Sequence, residues 1–177
     1  MRSPQTTLNC GGRPLDLSTP RIMGIINLTP DSFYAASRNT DEAESVATAG
    51  RMIAEGADIL DLGAMSSRPG AQLITPEEEQ AIHRTFPEAI IGVDTIYGTT
   101  AKASVAAGAR MINDISAGTL DLQMLDTIPG LGVPYVMMHM RGKPEDMQNQ
   151  TNYEDLLVEI VDFLAPRIEQ LTLAGQH

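Results

Sequence analysis

The sequence predicts an α/β protein, a parallel sheet with helices packed outside it, and three observations carry that reading. Short apolar runs rich in β-branched residues recur along the chain. Each run is broken abruptly by polar residues, Gly or Pro, and each break is followed by a segment with helical spacing. About five such strand-loop-helix units can be counted. Right-handed crossovers then bring every loop that follows a strand to one rim, where chemistry is usually built in sheets of this kind.

The chain divides into a cover segment, residues 1–20, and the repeating part, residues 21–177. The cover holds Gly11-Gly12, three prolines and a Leu15-x-Leu17 alternation, which suits a loop or short hairpin over the end of a barrel. The first unit opens with Ile22-Met23-Gly24-Ile25-Ile26, an apolar run suited to a strand buried on both faces. It stops at Asn27-Leu28-Thr29-Pro30-Asp31-Ser32, where Pro, Asp and Ser favour a turn. A helix is expected from Thr40 or Asp41 as N-cap, through Val46, Ala49, Gly50, Ile53 and Ala54, to a stop at Gly56.

The second strand is Ala57–Leu62, followed by the polar loop Gly63–Ala71. Thr75-Pro76 starts a helix, with Thr75 as N-cap and Pro76 in the first helical position, and Phe86-Pro87 leaves it only about two turns. Ala89–Val93 is the third strand, with Asp94-Thr95 at its tip, and Thr99–Ala107 its helix, closed by Gly108. Arg110–Ile112 ends at Asn113-Asp114 before a short helix around Leu120–Thr127. Val133–Met138 ends at His139, and a last helix runs roughly over Asn152–Leu173.

Composition narrows the function. With 177 residues, 42% hydrophobic and 20% charged, the chain reads as one ordinary globular domain, short for a barrel of eight units at about 250 residues. No apolar run reaches the roughly 18 residues a membrane helix needs, and the first ten residues lack a secretion signal's apolar core, so a cytoplasmic location and no membrane partner are expected. A net charge of −11 argues against nucleic acid. The single Cys10 has no internal disulfide partner, and no Cys/His spacing suggests zinc.

The strand tips carry Asn27, Ser67-Arg68, Asp94, Asn113 and Met138-His139. Singly, each has a plain reading: Asn27 caps a turn, Arg68 is a solvated cation, Asp94-Thr95 caps the next helix, and Asn113-Asp114 makes a turn. Together they favour one site, because the alternation of units sends all five to the same rim.

The same tips resemble a known family. Asn27-Leu28-Thr29-Pro30-Asp31-Ser32-Phe33 and Asp61-Leu62-Gly63-Ala64-Met65-Ser66-Ser67-Arg68-Pro69-Gly70 resemble the two signatures of dihydropteroate synthases, with Ser67 where Thr is frequent. Val93-Asp94-Thr95, Ile112-Asn113-Asp114-Ile115-Ser116 and Met138-His139-Met140-Arg141-Gly142 are similar to that family's next three strand motifs, in its order. The resemblance implies a (β/α)8 barrel of the TIM type, truncated here to about five βα units.

It also implies a reaction, in which a pterin diphosphate condenses with p-aminobenzoate and pyrophosphate leaves. Asp94 and Asn113 would read the pterin's amino-pyrimidine edge, with Ile115 and Met138 as apolar walls. Asn27 would be a ligand of Mg²⁺. Arg68, with Ser67, would grip the diphosphate, while Phe33 and Pro69 would border the p-aminobenzoate pocket. Asn27 and Arg68 would serve catalysis through the leaving group, and His139 would be structural rather than a general base, which an arylamine of low basicity hardly requires. A complete member is expected to be a homodimer.

The sequence ends at Leu173–His177, where the family enters its sixth strand, so its Asp-Pro-Gly-Phe, Lys-Ser and Arg-x-His segments are not in it. An open sheet of five strands is therefore expected to leave two edges and half a barrel interior uncovered. Two alternatives to a working synthase stand beside it: a non-catalytic, pterin-binding half-barrel, and a pterin-binding methyltransferase domain.

Overall fold

A computed structural model describes residues 6–27, 38–63 and 76–176, with side chains throughout except at 27, 38–42 and 76–79. Two strands, β1 (Thr7–Cys10) and β2 (Arg13–Asp16), form an antiparallel hairpin. Five more make a parallel sheet in sequential order: β3 (Met23–Asn27), β4 (Ile59–Gly63), β5 (Ile90–Asp94), β6 (Met111–Asp114) and β7 (Tyr135–Met137). The helices are α1 (Arg38–Ala54), α2 (Pro76–Thr85), α3 (Gly98–Ala107), the single turn α4 (Met124–Thr127) and α5 (Leu156–Leu173).

Because side chains alternate along a strand, each strand offers one row to the helices and one to the opposite face. Ile26, Leu60, Leu62 and Ile91 pack with Ala49 of α1 and Ile82 of α2. Val93 and Ile112 pack with Ala101 of α3, Met124 of α4 and Leu171 of α5. On the opposite face, Ile59, Ile90 and Met111 sit at the N-terminal end of their strands and close against Cys10 and Leu15 of the hairpin. Arg13 donates to the Glu88 carbonyl and pairs with its carboxylate at 2.6 Å, and Arg110 donates to the Gly11 carbonyl at 2.9 Å. The hairpin therefore packs against the N-terminal end of strands β4 to β6. Cys10 is free and wholly buried within it.

Several boundaries differ from the sequence expectations. Backbone helix already begins at Arg38, so Thr40 and Asp41 lie in the first turn instead of capping it. α2 runs ten residues, close to three turns, because the backbone ladder continues until Phe86 N donates to the Ile82 carbonyl at 2.8 Å, next to Pro87. The helix expected over Leu120–Thr127 is a single α turn continued as a 3₁₀ turn, since Asp121 bends the chain ahead of it by accepting from Gln123 N. β7 starts only at Tyr135, after Pro134, which has no N–H for the ladder. α5 begins at Leu156, where Asp155 accepts from the backbone N–H groups of Leu157 and Val158.

Candidate active site

The parallel register aligns the strand ends in one row: Asn27, Gly63, Asp94, Asn113 and Val136 are successive partners across β3 to β7. In-register neighbours of a parallel sheet point to the same face, and the described side chains of this row, Asp94, Asn113 and Val136, take the one opposite the helices. One step down the strands lies the row Ile25, Asp61, Gly92 and Met111. The open face thus gathers Asp61, Asp94 and Asn113 at its C-terminal end.

Asn113 donates from Nδ2 to Asp61 Oδ2 at 3.0 Å, which fixes the amide's orientation. Asp61 is 3% exposed, and its Oδ1 has no hydrogen-bond partner among the described residues. Room for that carboxylate comes from Gly92, since a Cβ there would lie 3.0 Å from Asp61 Oδ1. A buried, half-satisfied carboxylate is costly unless something brings it a donor.

Electrostatics make the same point. Burial, joined by the neighbouring charges of Asp61 and Asp114, pushes the Asp94 carboxyl up to about 6. Burial also raises Asp61, opposed by its bond from Asn113. The ion pairs found among the described residues, Arg13–Glu88, Arg21–Asp58 and Arg141–Glu159, involve none of these three carboxylates. The site is an acceptor cluster that a neutral heterocycle with adjacent N–H groups would satisfy.

The other expected site residues fall into two groups. Ile115, half-buried, directly follows β6, and Met138, 38% exposed, directly follows β7, at the same end of the sheet. Asn27 ends β3 in the rim row, with only its backbone described. Phe33, Ser67, Arg68 and Pro69 lie outside the described residues.

Of the plain readings, the cap at Asp94-Thr95 does not hold. The residue before α3 is Tyr97, with no side-chain cap, and the Gly98 N–H goes to Asp121 at 2.8 Å. The turn at Asn113-Asp114 holds for Asp114 alone, which accepts from Ser116 and Gly118 in the next loop. His139 stacks edge-on against Phe163 of α5 at 4.8 Å and lies 5.9 Å from the Tyr153 ring, a packing role between β7 and α5.

Sequence reasoning missed Asp61 and Asp114 as site groups. The signal for Asp61 was present: a charged residue in the middle of the apolar run Ile59-Leu60-Asp61-Leu62 demands a partner or a ligand.

No helix among the described residues is long and apolar enough to cross a membrane. Residues 23–177 match the family described as pterin binding enzyme. A mitochondrial folate synthesis bifunctional protein of Pisum sativum is 42% identical over 167 residues, covering 87% of this chain and 32% of that protein. The dihydropteroate synthase of Escherichia coli K12 is 37% identical over 172 residues, covering 93% of this chain and 60% of the enzyme.

The structure of Xanthomonas albilineans dihydropteroate synthase with 4-aminobenzoic acid superposes with a TM-score of 0.77 at 39% identity, over 97% of this chain and 63% of that one. The chain therefore spans about three fifths of these synthases. Its five parallel units correspond to a partial barrel of their TIM type. By the extent of the family match and the identity to its relatives, the chain belongs to the pterin binding enzyme family.

Proposed function

We propose that this chain is the five-unit N-terminal part of a dihydropteroate synthase, joining 6-hydroxymethyl-7,8-dihydropterin diphosphate to p-aminobenzoate and releasing pyrophosphate. The observation that carries this reading is the pair Asp94 and Asn113, register partners at the rim above the buried Asp61. The pterin's amino-pyrimidine edge presents adjacent N–H donors beside an acceptor. Asp94 accepts the donors in paired fashion, and Asn113, held by Asp61, reads the mixed edge next to them. Ile115 and Met138 wall the flat ring.

The reaction breaks the bond between the pterin CH₂ carbon and the diphosphate oxygen and forms one from that carbon to the arylamine nitrogen. The amine proton leaves to solvent. Because the ring spreads positive charge from the CH₂ carbon, the protein needs no nucleophile of its own; it must orient the pterin and receive the departing charge.

Arg68, with Ser67, takes the diphosphate bidentately, and Phe33 and Pro69 border the arylamine. Asn27 would hold magnesium through a hard neutral oxygen, leaving other positions to diphosphate and water. Magnesium, when bound, supplies neutralisation of the leaving diphosphate. A cytoplasmic location and a homodimer of the complete protein belong to the same proposal.

Pyrophosphate release from the pterin diphosphate and p-aminobenzoate tests the reading. Turnover that requires Mg²⁺ and is lost in Arg68→Ala supports it. Equal affinity for the pterin alcohol and its diphosphate, without turnover, would make the chain a pterin binder only.

A further inference from the structure

Asp114 sits between two residues of the pterin pocket, Asn113 and Ile115, and is wholly buried. Its Oδ1 accepts from the backbone N–H and the hydroxyl of Ser116, both at 2.7 Å, and its Oδ2 from Gly118 N at 2.8 Å and the Tyr135 hydroxyl at 2.6 Å. Its carbonyl accepts from Met138 N at 3.1 Å. One residue therefore fixes the tip of β6, the loop beyond it and the first residue beyond β7.

The loop is held from outside as well. Arg167 of α5 lies 3.9 Å over the Phe163 ring and donates from Nε to the Ala117 carbonyl at 3.0 Å. Ala117 has a positive φ of 49°, a conformation a non-glycine residue keeps only when its surroundings impose it. Gly118 follows at φ 78°, where a Cβ would fall 2.7 Å from Leu125 Cγ. A turn needs one or two of these bonds; this one converges four donors on a single carboxylate.

We propose that Asp114 is a positioning residue for the pterin pocket, holding Asn113, Ile115 and Met138 in the arrangement that receives the ring. The inference rests on the pterin-binding reading above. Its carboxylate lies on the helix side of the sheet, yet its charge reaches the pocket: after burial, Asp61 of β4 and Asp114 of β6 both oppose the ionisation of Asp94. On its other side Asp114 meets Tyr135 of β7, whose phenol burial and Asp114 itself keep protonated, with Arg167 of α5 opposing that shift.

The role separates from mere loop stability in two variants. In Asp114→Asn two of the four donors lose their acceptor and the charge is gone. Affinity for 6-hydroxymethylpterin should fall about tenfold or more, and the Asp94 titration, followed by its carboxyl carbon, should move to lower pH. In Tyr135→Phe only the hydroxyl is lost, so affinity should fall about threefold to tenfold while the Asp94 midpoint stays.

An unmoved Asp94 midpoint in folded Asp114→Asn, or wild-type affinity in Tyr135→Phe, would overturn the inference. The second variant decides alone if the first does not fold. Failure of the wild-type protein to bind any pterin would instead count against the functional reading, since the Asp94 titration needs no ligand.

Discussion

The two faces of the parallel sheet are built from the same twenty-odd residues and behave as different materials. Toward the helices, Leu60, Leu62, Ile91, Val93 and Ile112 are each at most 1% exposed. On the opposite face Ile25 is 58% exposed, the residues level with it are Asp61, Gly92 and the buried Met111, and Asp94 and Asn113 lie beyond them. Period-two alternation lets one strand serve both purposes. The helix-covered rows supply stability through apolar burial, and the open rows accept a stability cost in order to hold unsatisfied acceptors. The fold can therefore be damaged without touching recognition, and the reverse.

The largest expected effect comes from the covered face. Leu62→Ala or Ile112→Ala should destabilise the protein by about 2–5 kcal/mol, read from urea unfolding, because each leaves a cavity among close-packed neighbours. Protein that remains folded should still bind pterin with wild-type affinity. A loss below about 1 kcal/mol would mean that this face is not the core.

Next is Asp94→Asn, which should weaken pterin binding about 30-fold or more by removing a charge-assisted pair of bonds. Its stability should change in the opposite sense. The folded carboxyl sits near 6 against an ordinary value of 3.8. The native state thus holds its proton longer than the unfolded chain, and stability falls as pH rises through that window. The cost is absent below it and complete above it. The variant should melt above wild type at pH 8, by on the order of 1 kcal/mol after discounting for partial exposure, and match it below pH 4. Pterin affinity of the wild-type protein should rise through pH 6 and then level off.

The smallest effect sharpens the contrast. Ile25→Thr on the open face should change the stability of this chain by no more than about 0.5 kcal/mol in thermal unfolding, despite removing a large apolar side chain from the middle of a strand. A cost comparable to that of Leu62→Ala would mean that both faces are packed in solution.

Much of this was legible in the residues. Five strand-loop-helix units follow from apolar runs punctuated by Gly, Pro and caps, and the Leu15-x-Leu17 alternation marked the hairpin. What escaped was long-range. Gly98 at the start of α3 takes its acceptor from Asp121, 23 positions away, which no local capping rule reveals. Tyr135 reaches Asp114 across the β6–β7 pairing, so Asn113-Asp114 read as a turn when only Asp114 makes one. Asp61 stands inside an apolar strand run, where a carboxylate flanked by Leu60 and Leu62 is the local anomaly, but its partner Asn113 is 52 positions away. The site's second half, Ser67-Arg68-Pro69 and Phe33, lies outside the described residues, so its place rests on the family motif.

A double-mutant cycle on pterin affinity, with Asp94→Asn and Asn113→Ala singly and together, tests most directly whether the rim pair reads one ring edge. Two groups on the same heterocycle should be coupled by about 1 kcal/mol or more, the double variant losing less than the sum of the singles. Strict additivity, or singles that bind as tightly as wild type, would show that Asp94 and Asn113 do not share a ligand.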